Sequence, residues 1–299
     1  MIRIKNGIQR FNKKSEQIQK KNKAVRVKVN KPRKRKKRAV NRKRSSTGLR
    51  AVQIKQLGRM KKMKARISIN SINAPKQQQG GFNYTLGIGY VNRADLLRQA
   101  LDSIPMLWPN TFVVDNSEHR ELQNHAEING IVPIINPSVP LSFSQTMNLL
   151  QKEALNQGCE VLLFMHNDAI AHEGTPDRLL ELIRSLQQEG RKWGAVFTHY
   201  DVLVAFNMKA VQEVGSWDTN LPQYFSDNDY YRRMRLAGYE MIESGLPVTH
   251  QNGSSTLHAD PYRNMVNGIL FPLHAQYYGK KWDGEPGSEQ YSIPFNRTF

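Results

Sequence analysis

The feature that most constrains the fold of this chain is a short apolar run that ends abruptly in polar residues. Residues 161–165 (VLLFM) are followed at once by His166, Asn167 and Asp168. This length and composition predict a buried strand of a parallel sheet, and ligands bind at the carboxyl ends of such strands. A carboxylate there can hold a divalent cation, and the cation can hold a diphosphate. The alternative interpretation is that Asp168 only caps or closes a turn.

The same strand-like pattern recurs along the chain and alternates with helical spacing. Further strand candidates are residues 84–90, 111–114, 131–135, 195–198 and 202–206. Helical patterns cover the stretch with Leu96, Leu97, Ala100, Leu101 and Ile104, then about 142–157, 176–188, 208–214, 225–238 and a segment from about 261. This alternation predicts an α/β fold with a doubly wound, mostly parallel sheet flanked by helices.

The positive charge of the chain is concentrated near its N-terminus. Of the 44 Lys and Arg residues, 27 lie in residues 1–66 beside a single acid, Glu16, so this segment carries +26. The other residues hold 17 basic and 24 acidic side chains, or −7. Because so few large apolar side chains cannot offset the entropy of ordering, we predict a largely disordered basic arm over 1–66. After this arm, we predict a linker over residues 67–81 and one folded domain over residues 82–299.

Composition also excludes or disfavours several classes of protein. Cys159 is the only cysteine, which excludes an intrachain disulfide framework, and its place before an apolar strand predicts a buried structural thiol. No apolar run is long enough for a transmembrane helix, and the basic N-terminus lacks the apolar segment of a secretory signal. The first strand is not followed by the glycine pattern of a dinucleotide-binding domain, and no Walker-type phosphate loop is present.

Three predicted strands end in polar pairs that can face one crevice of the sheet, and these pairs belong to a wider pattern. The matching segments are 85–93 (TLGIGYVNR), 112–117 (FVVDNS), 164–169 (FMHNDA), 215–218 (GSWD) and 225–239 (FSDNDYYRRMRLAGY). In this order they resemble family 2 glycosyltransferases of the GT-A fold, closest to the bacterial rhamnosyltransferase-like branch. The resemblance covers about residues 82–299. It implies a GT-A-type sheet and metal-dependent, inverting transfer of a sugar from a nucleotide-sugar donor to a hydroxyl acceptor.

The resemblance also implies roles for individual residues. Asp168 matches the last carboxylate of the family's D-x-D motif and would bind Mn²⁺ or Mg²⁺, while Asp227 matches the general base. His250 stands where some relatives supply a further metal ligand, although a lone histidine is more often structural. Residues expected to contact the UDP- or dTDP-sugar donor are Tyr90, Asn92, Arg93, Asp115, Asn148 and Asn167.

Two departures from the family pattern bear on these roles. His166 replaces the first acid of D-x-D, so we expect metal contact through Asp168 with water and phosphate oxygens. Ser226 replaces the acid that usually precedes the base, so no adjacent carboxylate raises the pKa of Asp227. Asp229 is interpreted as a simple helix cap. Acceptor recognition is expected from Trp217, Asp218, Tyr224 and the C-terminal segment, whereas Trp193 and Trp282 are expected in the core.

The acceptor is expected to be a polysaccharide, a glycolipid or a protein glycan, and the arm has several interpretations. It could hold a cytoplasmic enzyme at the anionic inner membrane face, and Val52, Ile54, Leu57, Met60 and Met63 form either an amphipathic membrane helix or a solvated one. Alternatively it binds nucleic acid phosphates, which would make the body a nucleic-acid-directed glycosyltransferase or an inactive GT-A binding module. A third interpretation is an extension without function, with the working protein starting near Met60 or Met63.

Overall fold

The structure, a computed structural model, describes residues 81–251 and 259–297. The predicted basic arm, the helical pattern between Val52 and Met63, and the predicted linker apart from Gly81 lie outside these residues. Within the described part of the chain, no helix combines the length and the apolar character needed to cross a bilayer.

Strands and helices alternate through the described residues. The strands are β1 (Tyr84–Tyr90), β2 (Thr111–Asp115), β3 (Ile134–Ile135), β4 (Val161–His166), β5 (Ala169–Ala171), β6 (Trp193–Phe197), β7 (Leu203–Asn207), β8 (Glu240–Glu243) and β9 (Val248–His250). The α-helices are α1 (Ala94–Asp102), α2 (Ala126–Asn129), α3 (Phe143–Asn156), α4 (Thr175–Gln188), α5 (Met208–Val214), α6 (Ser226–Leu236) and α7 (Pro261–Trp282). Short 3₁₀ turns cover Pro105–Asn110, Glu121–Asn124, His199–Asp201 and Pro294–Asn296.

Seven of these strands form one mostly parallel sheet in the order β3-β2-β1-β4-β7-β6-β8. The pairs β1–β2, β1–β4, β2–β3 and β6–β8 are parallel, whereas β7 runs antiparallel to both of its neighbours. β6 and β7 are joined by a short turn, and a short turn can only connect antiparallel neighbours. The predicted α/β fold class, with a mostly parallel sheet flanked by helices, is confirmed.

Helices cover both faces of this sheet because alternate side chains of each strand point to opposite faces. On β4, Leu163 and Met165 belong to a core that includes α1 and α4, whereas Leu162 and Phe164 belong to a core that includes α3, α5 and α6. Burying each such side chain contributes about 1.5–3 kcal/mol. Trp193 and Trp282, expected in the core, are fully buried.

Cys159 is buried just before β4, as predicted for a structural thiol. Burial, with a smaller contribution from the neighbouring Glu160 carboxylate, raises the pKa of its thiol to about 11. The thiol is therefore protonated near neutral pH and is a poor nucleophile.

Local sequence signals fix the helix that crosses behind β1. Ser142 caps α3 in a capping box: its hydroxyl accepts the Gln145 amide at 3.3 Å, and the Gln145 side chain accepts the Ser142 amide at 2.9 Å. Gly87 of β1 allows close packing, because a Cβ there would lie 2.4 Å from Leu150 Cδ2 of α3. The two features together set α3 against the sheet.

Two parts of the strand prediction were wrong. The third strand was expected over 131–135, but β3 contains only Ile134 and Ile135. Pro133 has no N–H to donate, so the ladder begins after it, although the Pro133 carbonyl still accepts the Val113 amide at 3.0 Å. The strands β5, β8 and β9 were not predicted. They are three or four residues long, too short to show a hydrophobic period.

Candidate active site

A cavity of about 300 Å³ opens beyond the carboxyl end of β4. This volume lies at the lower end of the range for small-molecule sites. The residues that line it combine titratable and aromatic side chains: Phe143, Phe164, His166, Asn167, Asp168, Asp201, Val204, Phe206, Trp217, Gln223, Tyr224, Asp227, Tyr231 and His250. The predicted metal ligands and the predicted base therefore share one cavity.

One wall of the cavity carries a group of three potential metal ligands, His166, Asp168 and His250. His166 ends β4 and Asp168 follows it, while His250 ends β9. The antiparallel pairing of β5 with β9 sets Ala169 opposite His250, which brings the His250 ring to Asp168. His250 Nε2 lies 3.2 Å and His166 Nδ1 lies 4.0 Å from Asp168 Oδ1. One donor atom from each residue lies within 4.8 Å of the others.

Electrostatics keep two of these groups, Asp168 and His166, in forms that can bind a cation. Burial would raise the pKa of Asp168, but the hydrogen bond and charge of His250, with a smaller effect from His166, hold it below its ordinary value. Burial, and then the neighbouring His250, lowers the pKa of His166, so its ring is neutral. An ionised carboxylate and a neutral imidazole are the ligand forms of these side chains. The donor set therefore fits a divalent cation, and it adds His166, which was not predicted as a ligand.

Two carboxylates lie on another part of the cavity wall. Asp227 is in the first turn of α6, where burial raises its pKa while hydrogen bonds from its own amide and that of Asn228 act in the opposite direction. Asp201 ends the turn between β6 and β7, and Tyr231 Oη donates to its Oδ2 at 3.3 Å. Burial, followed by the negative charge of Asp227, raises the pKa of Asp201 to about 7. Asp227 therefore shares the cavity with a second carboxylate that is distant from it in the sequence.

Among the predicted donor-binding residues, Asn167 lines the cavity and Asp115 does not. The Asn167 amide donates to the Asn92 carbonyl at 3.1 Å, which ties the loop after β1 to the end of β4. Asp115 is buried at the end of β2, where Oδ1 accepts the Ser117 amide and hydroxyl at 2.9 and 2.6 Å. Its Oδ2 accepts the Leu122 amide at 3.1 Å. In this structure the Asp115 carboxylate orders the loop after β2, and its contact with a nucleotide stays a prediction.

Tyr90 and Arg93 are also engaged within the protein and do not line the cavity. The Tyr90 hydroxyl donates to Glu121 at 2.8 Å. The Arg93 guanidinium forms a bidentate ion pair with Asp95, at 2.8 and 2.7 Å, at the start of α1. Both side chains of this pair are exposed, so the ion pair contributes little stability and a stronger anion can displace it. The role of Arg93 toward a diphosphate remains a prediction.

Asn148 connects α3 to the segment that carries Trp217. Its side chain accepts the Trp217 amide at 2.7 Å and donates to the Trp217 carbonyl at 3.1 Å, so both polar ends of the amide are used. The Trp217 ring lines the cavity and stacks on Tyr230, with centroids 4.4 Å apart. The buried Trp217 Nε1 makes no hydrogen bond within the described residues. An unmet donor in a cavity wall is a position where a ligand hydroxyl binds favourably.

Asp218 and Asp229 belong to a buried ionic network rather than to the cavity. Lys281 of α7 lies between them, with Nζ 2.7 Å from Asp218 Oδ2 and 2.6 Å from Asp229 Oδ1. Asp229 also accepts from Trp282 Nε1 at 2.9 Å and from Arg233 at 3.0 Å. The interpretation of Asp229 as a simple helix cap is wrong, because its carboxylate joins α6 to α7.

Two cavity residues were missed as functional candidates from the sequence, His166 and Asp201. The His-x-Asp spacing after β4 was a signal for the first, since both side chains leave the end of one strand. Asp201 had only a weak signal, a single acid between two strand-like segments. Its position in the same cavity as Asp227 depends on how β7 pairs between β4 and β6.

No protein-family model and no curated protein sequence matches the chain. Solved structures with similar architecture include TarS of S. aureus, at 10% identity and a TM-score of 0.44 over 56% of this chain and 36% of TarS. GalNAc-T7, solved with UDP, GalNAc and Mn²⁺, matches at 11% identity and a TM-score of 0.45 over 67% of this chain and 51% of its own. The chain thus spans about a third to a half of these two proteins. Glucosyl-3-phosphoglycerate synthase from Mycobacterium tuberculosis, solved with Mn²⁺ and UDP-glucose, matches at 14% identity and a TM-score of 0.43. The match covers 68% of this chain and 82% of the synthase.

Proposed function

We propose that this chain is a metal-dependent glycosyltransferase that moves a sugar from a nucleotide-sugar donor to a hydroxyl group, with inversion at the sugar carbon. The observation that carries the proposal is the shared cavity of Asp227 and the group formed by His166, Asp168 and His250. A cation-binding group and a carboxylate base are the two components that such a transfer requires. The rhamnosyltransferase-like branch and the choice between a UDP- and a dTDP-sugar belong to the same proposal.

The donor set favours one kind of cation. Mg²⁺ is bound mainly by oxygen ligands and keeps several waters, whereas imidazole nitrogens suit transition metals. His166, Asp168 and His250 offer two imidazoles and one carboxylate, so Mn²⁺ is the better fit of the two expected ions. When bound, the ion would neutralise the charge that develops on the diphosphate leaving group.

The chain's own residues supply the rest of the chemistry. Asp227 accepts the proton of the acceptor hydroxyl as that oxygen attacks the anomeric carbon, and the bond from this carbon to the diphosphate oxygen breaks with its electron pair leaving on the diphosphate. A single displacement of this kind inverts the sugar carbon. The ring of Trp217 and the Tyr224 side chain line the same cavity and can pack against the faces of a sugar.

A donor screen tests this proposal. The full chain is incubated with Mn²⁺ and each common nucleotide sugar, and release of nucleoside diphosphate is measured with and without saccharide acceptors. We expect one donor to be turned over. Asp227→Asn should lower kcat by about 10²–10⁴-fold, and Asp168→Ala should abolish the turnover that Mn²⁺ supports. The anomeric configuration of the product, read by NMR, reports inversion.

The matched control is His119→Ala, an exposed histidine outside the cavity, which should keep normal turnover. Full metal-dependent turnover by Asp168→Ala, or retention of configuration in the product, would contradict the site assignment.

We also propose a glycolipid acceptor at an anionic membrane surface, on the cytoplasmic face. Residues 1–66 carry +26, and each Lys or Arg near such a surface contributes up to about 1 kcal/mol. In addition, four large apolar side chains on α7 are more than half exposed: Tyr262, Met265, Ile269 and Leu273. Their spacing places them within roughly 80° of one helix face. The same helix contacts a residue that lines the cavity, since Asn267 donates to the Tyr224 hydroxyl at 2.8 Å.

Binding to vesicles separates the membrane hypothesis from the nucleic acid alternative. We expect the full chain to sediment with anionic vesicles at low salt, and deletion of 1–66 or the double change Ile269→Gln and Leu273→Gln to weaken that binding. Leu155→Gln, at an exposed position of α3, is the matched control. Tighter binding to duplex DNA than to vesicles, with a steep salt dependence, would favour the nucleic acid alternative instead.

A further inference from the structure

Asp201 lines the cavity, and the proposed transfer does not use its carboxylate. The residue ends the turn between β6 and β7 with φ +50°, in the left-handed region that is uncommon outside glycine. Backbone hydrogen bonds hold the turn: the Asp201 amide donates to the Thr198 carbonyl at 3.1 Å, and the His166 amide donates to the Val202 carbonyl at 2.9 Å. Such a fixed, unfavourable backbone at a cavity is a common property of functional sites.

The Asp201 carboxylate has hydrogen-bonding capacity that the protein does not use. Tyr231 donates its hydroxyl to Oδ2 at 3.3 Å, and Oδ1 accepts no hydrogen bond from the part of the chain that the structure describes. The Tyr231 ring is itself fixed, because it stacks on Phe197 and Phe206 with centroids 5.9 and 6.4 Å apart. A carboxylate offers about four lone-pair positions, so Oδ1 and part of Oδ2 remain for a ligand.

The place of Asp201 in the cavity indicates which part of a ligand it meets. Its turn is attached to the end of β4 through the backbone of His166, a member of the group of potential metal ligands, but Asp201 is not in that group. A diphosphate held at that group would place its sugar in the same cavity. The rings of Phe206, Trp217 and Tyr231 line this cavity with Asp201. Carboxylate oxygens accept hydrogen bonds from sugar hydroxyls, and aromatic rings pack against the apolar faces of a sugar.

We propose that Asp201 determines donor specificity by accepting hydrogen bonds from two hydroxyl groups on neighbouring carbons of the transferred sugar. This inference rests on the proposed transferase function, and it names the donor class as a nucleotide sugar that carries such a pair of hydroxyls. The Tyr231 hydroxyl holds Oδ2 in place for this contact. A sugar that lacks one of the two hydroxyls leaves a carboxylate oxygen without a partner in the occupied cavity, and it therefore binds more weakly.

The experiment compares binding of a nucleotide sugar with binding of its nucleoside diphosphate. The full chain with Mn²⁺ is titrated calorimetrically at pH 8 with UDP and UDP-glucose, with dTDP and dTDP-rhamnose, and with the donor that the screen identifies. Asp201→Asn keeps the size of the side chain, and asparagine tolerates the left-handed backbone, so the variant should fold. We expect its affinity for the nucleotide sugar to fall about 10–100-fold, because hydrogen bonds to a charged group are lost, and its affinity for the diphosphate to stay unchanged.

Analogues of the bound donor that each lack one sugar hydroxyl separate a direct contact from a general loss of structure. The analogue without a hydroxyl that Asp201 accepts should bind the wild type about tenfold more weakly than the parent donor. Asp201→Asn should discriminate less between the two, because the contact is already weakened. Tyr231→Phe keeps the stacked ring and removes the donor to Oδ2, so it should weaken binding of the nucleotide sugar by a smaller factor.

Asp177→Asn is the matched control, the same change at an exposed aspartate of α4 outside the cavity, and it should leave both affinities unchanged. Equal affinities of the wild type and Asp201→Asn for the nucleotide sugar would overturn the inference. Equal weakening of the diphosphate and the nucleotide sugar, or undiminished discrimination against the analogue, would overturn it as well. A wild-type chain that binds no nucleoside diphosphate and no nucleotide sugar with Mn²⁺ would instead contradict the transferase function itself.

Discussion

His250 Nε2 lies 3.2 Å from Asp168 Oδ1, and the pairing of two three-residue strands produces this contact. β9 runs antiparallel to β5, and the Gln251 amide extends the pairing by donating to the Asp168 carbonyl at 2.9 Å. The backbone hydrogen bonds therefore fix the histidine beside the carboxylate before any cation binds. A ligand group arranged in advance binds its ion with less loss of conformational entropy.

The first prediction concerns this arrangement. His250→Ala should weaken Mn²⁺ binding by at least about 10–100-fold. Losing a residue that only hydrogen-bonds a metal ligand already has an effect of this size. His166→Ala should have a comparable effect if both imidazoles bind the ion. Calorimetric titration of the purified chain with Mn²⁺ alone measures the affinity. His119→Ala, which changes an exposed histidine outside the group, should bind Mn²⁺ normally. Wild-type affinity in His250→Ala would contradict the three-ligand site.

The second prediction concerns the buried ionic network between α6 and α7. Lys281→Met removes the cation that lies between Asp218 and Asp229, and it should lower the free energy of unfolding by about 3–5 kcal/mol. The loss is large because Asp229 is fully buried and would keep only Arg233 as a charged partner. Urea unfolding followed by circular dichroism measures it. Lys280→Met, one residue away and exposed, should change the stability by less than about 0.5 kcal/mol.

The third prediction follows from the pKa of Asp201, which burial and the charge of Asp227 raise to about 7 from an ordinary value of 3.8. Between these two pH values the folded state binds more protons than the unfolded state, so the wild type loses stability as pH rises. Asp201→Asn cannot ionise and escapes this loss. Its melting temperature should therefore match the wild type near pH 4 and exceed it by several degrees at pH 8.

Differential scanning calorimetry across this pH range provides the measurement for Asp201→Asn. Asp283→Asn should follow the wild-type curve, since its side chain is exposed. If the melting temperatures of the wild type and Asp201→Asn changed equally with pH, ionisation of Asp201 would not destabilise the folded state, and the prediction would be wrong.

The fourth prediction separates two roles for Asn148. Its amide satisfies both the N–H and the C=O of Trp217, so Asn148→Ala should lower the free energy of unfolding by about 1–3 kcal/mol even without ligand. Asn148→Asp should also destabilise the fold, because a carboxylate oxygen would then face the Trp217 carbonyl. Thermal unfolding measures both changes. Asn156→Ala, at an exposed position of the same helix, should have little effect. An unchanged melting temperature in Asn148→Ala would contradict the structural role and favour a role of Asn148 in contacting the nucleotide-sugar donor.

Much of the fold follows from local sequence patterns. Residues 84–90 form β1 as predicted, α5 spans Met208–Val214 as predicted, and Ser142 caps α3. These features depend on hydrophobic period, cap chemistry and turn residues, which act between neighbours in the chain. The polar ending of β4 likewise placed Asp168 at the edge of the sheet, because a parallel sheet brings such ends together.

The sequence by itself determined the alternation of strands and helices, the two-sided core and the position of Asp168 at the end of β4. Only the tertiary structure decided that His250 contacts Asp168, that Asp201 faces the cavity beside Asp227, and that Lys281 joins Asp218 to Asp229. Each of these contacts joins elements that are distant in the chain, and each depends on strand order, on register and on the path of a connecting turn. Local periodicity carries no information about those long-range choices, because many chain paths satisfy the same pattern of buried and exposed residues.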